Sequence, residues 1–112
     1  MPVEITKITS ELSERVQEIL GEKLRKIILF GSYARGDHDE DSDIDIMVLA
    51  DVTNNDEIIY LRDEISDIAS DISLENNITV SAFIKDFKFF FDYSEAVPYY
   101  RNVINDGINI YG

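Results

Sequence analysis

The 112-residue chain sets 23 acidic side chains against 10 basic ones, for a formal net charge of −13, and has no cysteine. Disulfides, thiolate metal sites and cysteine nucleophiles are therefore excluded, and so acidic a surface repels duplex nucleic acid. With 45% hydrophobic and 29% charged residues and only five Gly and two Pro, the sequence is expected to form a single domain, 1–112, around one core.

In chain order, the opening "MPVEITKITSEL" lacks the basic and apolar regions of a secretory signal. No apolar run approaches the roughly 18 residues of a membrane span, so a soluble, cytoplasmic protein is expected. Leu12, Val16, Ile19 and Leu20 predict an amphipathic helix over 9–20, with Thr9 or Ser10 capping its start and Gly21 its end. "KIILF" (26–30), stopped by Gly31, reads as a strand covered on both faces, and "SDIDIMVLA" (42–50) as a second interior strand. Ile58, Leu61, Ile65, Ile68 and Ile72 predict a helix over 55–73 with an acidic outer face. "NITVSAFI" (77–84) is β-branched enough for a third strand, and 86–93 suggests a short aromatic helix or turn. Ser94 or Pro98 opens a last helix that stops at "NDG" (105–107). The order helix, strand, strand, helix, strand, helix predicts an α/β (α+β) fold, a small mixed β-sheet of three or more strands covered by helices.

Between Asp37 and Asp45 the chain packs six carboxylates into nine residues. Asp37, Asp39, Glu40 and Asp41 suit a solvated loop. A calcium loop fails because its sixth position is Ser42 and its twelfth Val48, where Gly and Glu are required. "RGD" (35–37) and the sequon "NIT" (77–79) mean little without an extracellular setting.

Asp43 and Asp45 are different, because they alternate with Ile44 and Ile46 and run into "MVLA". Residues i and i+2 of a strand point to one side, so both carboxylates can reach one divalent cation, which offsets the cost of placing two like charges there. A pair of such ions clamps the attacking and leaving oxygens of a displacement at phosphorus. Gly31 lets backbone approach a ligand, and Ser32 can open a short helix whose free N–H groups face a phosphate. Arg35 is placed either to contact that phosphate or to neutralise the acids, and Tyr33 to pack or to stack on a base. His38 reads as solvated. "FKFFFDY" (87–93) and "PYYRN" (98–102) are divided between core and interface.

"GS", ten residues, then "DID", within "FGSYARGDHDEDSDIDIMV", resembles the signature of the DNA polymerase β-like nucleotidyltransferase superfamily, in its minimal nucleotidyltransferase (MNT) branch. The resemblance extends over most of the chain, to the closing "PYYRNVINDGINIY". It implies the polymerase β-like fold and Mg²⁺-dependent transfer of a nucleoside monophosphate, AMP from ATP foremost, to an acceptor hydroxyl with release of pyrophosphate. Carried over by position, Gly31, Ser32 and Arg35 would bind the nucleotide, and Asp43 and Asp45 would be the catalytic, metal-holding pair. The implied partner is a helical HEPN RNase toxin, with this chain as its antitoxin and a toxin tyrosine as acceptor.

One departure stands out. The family usually presents a third carboxylate on the next strand, and that position falls near Ser81; Glu75 and Asp86 flank the expected strand and would serve only if the backbone brought them round. The alternatives are therefore an active protein adenylyltransferase, a catalytically weak antitoxin that acts by complex formation, and, less favoured, an antibiotic-modifying enzyme lacking its second domain.

Overall fold

The computed structural model describes residues 3–112. Its elements are α1 (Val3–Leu20), a single 3-10 turn (Gly21–Lys23), β1 (Leu24–Phe30), α2 (Ser32–Arg35), β2 (Ile44–Ala50), α3 (Asn55–Asn76), β3 (Val80–Asp86), α4 (Phe87–Asp92), α5 (Pro98–Asp106) and β4 (Ile108–Tyr111). The four strands form one mixed sheet in the order β3-β2-β1-β4. β1 is antiparallel to both β2 and β4, whereas β2 and β3 run parallel, joined by the α3 crossover.

The central strands are nearly all apolar because both faces of the sheet are covered. On one face Ile27, Leu29, Ile44, Ile46 and Val48 pack with Leu12 and Val16 of α1 and Ile65 and Ile72 of α3. On the other, Ile28, Met47 and Leu49 meet Phe90 of α4 and Val103 of α5, flanked by Phe87, Phe91 and Tyr100. There are thus two hydrophobic clusters where one core was expected, and the aromatic segments are divided between burial and solvent. Phe90 is fully buried, whereas Phe89, Tyr93 and Tyr99 are about half exposed.

Helix α1 extends well before Thr9, so neither Thr9 nor Ser10 caps it. The buried Thr9 hydroxyl donates instead to the Ile5 carbonyl at 2.9 Å, one turn back within the helix. Helix α3 is capped by Asn54, whose Oδ1 accepts from the backbone N–H of Asp56 and Glu57. Strand β4, formed by "INIY", adds a fourth strand on the edge of β1. No described helix is long and apolar enough to cross a membrane.

Candidate active site

The site begins where β1 ends. Gly31 has φ +77°, a conformation L side chains rarely adopt, and it turns the chain from Phe30 into α2. A Cβ built on Gly31 would lie 2.5 Å from Oδ2 of Asp45, so the bare backbone is flush against that carboxylate. The Gly31 carbonyl accepts from the N–H of Ala34 and Arg35, which closes the first turn of α2. The N–H groups that open such a turn have no partner inside it and face outward from its start.

Asp45 is the second residue of β2, in register with Phe30 on one side and Ser81 on the other. Asp43 lies two residues earlier, one short of the strand. Burial, and then the neighbouring Asp43, push the Asp45 carboxyl above its ordinary range, while Arg35 pulls it down. The two are not placed alike as the strand alternation predicts: Asp45 is half-buried against the backbone turn, whereas Asp43 is exposed just before the strand, and together they offer hard oxygen donors for a cation. Among the described residues no group of three or more His, Cys, Asp and Glu side chains comes together to hold a metal. Two carboxylates fit Mg²⁺ nonetheless, because it commonly takes one or two from the protein and the rest of its shell from water and substrate phosphates.

The remaining acids form the solvated loop expected of them: Asp37, Asp39, Glu40 and Asp41 are all exposed. Asp39 organises the loop by accepting from the Asp41 N–H and the Ser42 hydroxyl. The Arg35 Nε donates to Asp37 at 3.2 Å. Tyr33 packs on the main core and stacks on the exposed His38, with ring centroids 4.1 Å apart and planes 12° from parallel.

Residues 9–99 match the nucleotidyltransferase domain family. The chain belongs to that family. This nucleotidyltransferase-domain protein is 40% identical over 82 residues to a Methanocaldococcus jannaschii protein provisionally named a protein adenylyltransferase, covering 73% of this chain and 80% of the relative. A second protein of that organism with the same provisional name is 34% identical over 89 residues, 80% of each chain. Among solved structures it is similar to a toxin–antitoxin crystallised with AMP-PNP, at TM-score 0.58 and 23% identity over 99% of this chain and 74% of that one. A complex of tri-AMPylated Shewanella oneidensis HEPN toxin with its MNT antitoxin gives TM-score 0.51 and 20% identity, covering 96% of this chain and 72% of that one. These likenesses show that the nucleotidyltransferase domain has the fold of MNT antitoxins.

Neither flanking acid reaches the Ser81 position of this nucleotidyltransferase domain. Asp86 is the last residue of β3 and pairs with Ala50, five residues and about 16 Å along the strand from Ser81. Its carboxylate caps α4 by accepting from the Phe89 N–H and also accepts from the Val52 N–H. Glu75 sits exposed on α3, and α3 packs on the face of the sheet opposite to Asp45.

A second wall was not legible in the sequence. The Tyr99 ring of α5 meets Phe30 edge-on, with centroids 5.8 Å apart, and Asp45 helps burial to push its hydroxyl's ionisation upward. Between α5 and the β1–α2 turn lies a cleft of about 200 Å³, lined by Phe30, Gly31, Arg35, Tyr99, Asn102 and Asp106 among others. The aromatic run "PYYRN" is the one sequence signal near it, and its composition favours core over an exposed surface.

Proposed function

We propose that this protein transfers AMP from ATP to a hydroxyl of a partner protein, with Mg²⁺ held by Asp43 and Asp45, and that it serves as the antitoxin of a helical HEPN-type toxin. The observation that carries the reading is the contact of the Gly31 backbone with the Asp45 carboxylate. It supports the reading because a turn able to cradle phosphate lies directly against one member, Asp45, of a carboxylate pair able to hold a cation. Gly31 and the start of α2 at Ser32 would receive the triphosphate through backbone N–H groups, and Arg35 would add positive charge beside it. Mg²⁺ bound there supplies neutralisation of the phosphate oxygens. The acceptor oxygen forms a bond to the α-phosphorus, the bond from that phosphorus to the bridging oxygen breaks, pyrophosphate leaves, and the acceptor proton passes to water.

The provisional names of the relatives, the AMP-PNP complex and the AMPylated toxin of the structural neighbours all support this substrate class and this kind of partner. We assign the function to one domain spanning 1–112, acting in the cytoplasm.

The test is transfer of label from α-labelled ATP to candidate helical partners with and without Mg²⁺. Transfer is expected to be Mg²⁺-dependent and to fall by about 100-fold or more in Asp43→Ala and Asp45→Ala, with the circular dichroism spectrum unchanged. A folded wild-type protein that labels no partner would overturn the reading.

A second reading rests on Ser81, which offers no carboxylate across from Asp45. In it the protein neutralises its partner by binding alone, and rescue from toxicity survives the Asp43→Ala, Asp45→Ala double change.

A further inference from the structure

The cleft beside the site holds a hydroxyl that the transfer reading leaves unused. Of the six tyrosines, Tyr99 alone lines the cleft between α5 and the β1–α2 turn. Tyr33 and Tyr111 pack on the main core, Tyr100 sits against Phe90, and Tyr60 and Tyr93 are exposed elsewhere. Tyr99 is held without being hidden. Its ring meets Phe30 and Tyr100 edge-on, each with centroids 5.8 Å apart, yet the residue stays 45% exposed. Phe30 is both the residue before Gly31 and the register partner of Asp45, so the phenol stands one ring away from that carboxylate. It is near enough for the Asp45 charge to act on its hydroxyl.

Displacement at phosphorus runs in line, with the entering and leaving oxygens on opposite sides. A triphosphate received by the turn at Gly31 keeps its pyrophosphate on that wall of the cleft. The open side of the α-phosphorus then faces the other wall, where Tyr99 stands. Resting on the transfer reading above, we infer that Tyr99 is an acceptor within the chain: the protein adenylylates its own Tyr99 when no partner hydroxyl occupies the site. The Tyr99 Oη forms a bond to the α-phosphorus, the bond from that phosphorus to the bridging oxygen breaks, pyrophosphate leaves, and the phenolic proton passes to water. Because the acceptor belongs to the chain, its effective concentration at the site is independent of how much protein is present. The reaction limits itself. AMP on Tyr99 stands in the cleft that Arg35, Asn102 and Asp106 also line, so each molecule reacts once and a modified chain takes up no further ATP.

The experiment incubates the full chain alone with ATP and Mg²⁺, weighs the intact protein by mass spectrometry and locates the adduct by peptide mapping. The expected result is a gain of one adenylyl group per chain, on Tyr99, with a first-order rate constant unchanged by about tenfold dilution. Tyr99→Phe, which keeps a ring against Phe30, should lose the adduct and Tyr100→Phe should keep it, each with the circular dichroism spectrum of wild type. Asp45→Asn should lose it as well. An adduct on another residue, an adduct that persists in Tyr99→Phe, or a rate constant that rises with protein concentration overturns the internal acceptor. So does an unmodified chain that still labels a helical partner, which leaves the transfer reading standing. A folded chain that labels neither itself nor any partner overturns both.

Discussion

Ser81 stands directly beside Asp45 in the sheet, in parallel register, so the two side chains leave the same face. A carboxylate at 81 would complete a three-acid site. Ser81→Asp is expected to tighten Mg²⁺ binding and to raise label transfer by about tenfold, since a third acid both adds a ligand and can take the acceptor proton. Without Mg²⁺ the same change should lower the melting temperature, because a third like charge joins two that already repel. A variant that binds Mg²⁺ no better than wild type would show that position 81 lies outside the metal's reach.

Asp45→Asn separates stability from chemistry. Burial and Asp43 raise the folded-state pKa of Asp45 above the ordinary 3.8, so the native protein holds this proton more tightly than the unfolded chain does. Its contribution to stability is then fully present below 3.8, is lost as pH rises through the raised folded value, and leaves a cost at neutral pH. The amide has no such cost. Thermal melts should find Asp45→Asn more stable than wild type at pH 7 in EDTA, with the difference closing in acid, while label transfer is abolished. On the proposed function, Mg²⁺ binding to wild type should have the opposite pH dependence, weakening as pH falls through the raised value, where proton and metal would compete.

Gly31→Ala should damage the site by geometry. The new Cβ would meet the Asp45 carboxylate at 2.5 Å while the backbone holds φ +77°, so the turn or the carboxylate must move. A loss of about 1–3 kcal/mol in urea denaturation is expected, together with loss of nucleotide binding. Gly36→Ala is the control: its φ is +83° but nothing lies within 4 Å of its Cβ. It should cost stability through backbone strain alone and keep nucleotide binding.

Asp86→Ala tests whether the acid at the end of β3 has any part in the chemistry. Its carboxylate is committed to the N–H groups of Phe89 and Val52, so removing it should cost about 1–2 kcal/mol by unseating the start of α4. Label transfer per folded molecule should be unchanged. A large loss of transfer at full folding would assign Asp86 a role the strand register denies it.

Periodicity made Asp43 and Asp45 legible as a pair, because two-residue alternation is a local property that survives into the sheet. Apolar runs and β-branched content located the three longer strands to within a few residues. Periodicity missed β4, whose four residues are too few for any period and which owes its strand to pairing with β1. It misplaced the start of α1 because Thr9 carries a good capping side chain, which here bonds backward inside a helix already under way. The contact of Gly31 with Asp45 and the approach of α5 to Phe30 arise from packing between distant segments. No spacing along the chain encodes them.

The short path from Gly31 to Asp45 has a consequence for how such proteins diversify. Every group assigned to phosphate and metal lies at the ends of β1 and β2 or in the connection between them, and those strands are direct antiparallel neighbours. That hairpin is low in contact order and can form before β3 and the C-terminal helices dock. The cleft wall on α5 arrives from the far end of the chain. Substitutions along that helix would therefore reshape one wall of the cleft while leaving the Gly31–Asp45 contact in place, so the two walls are free to vary at separate rates.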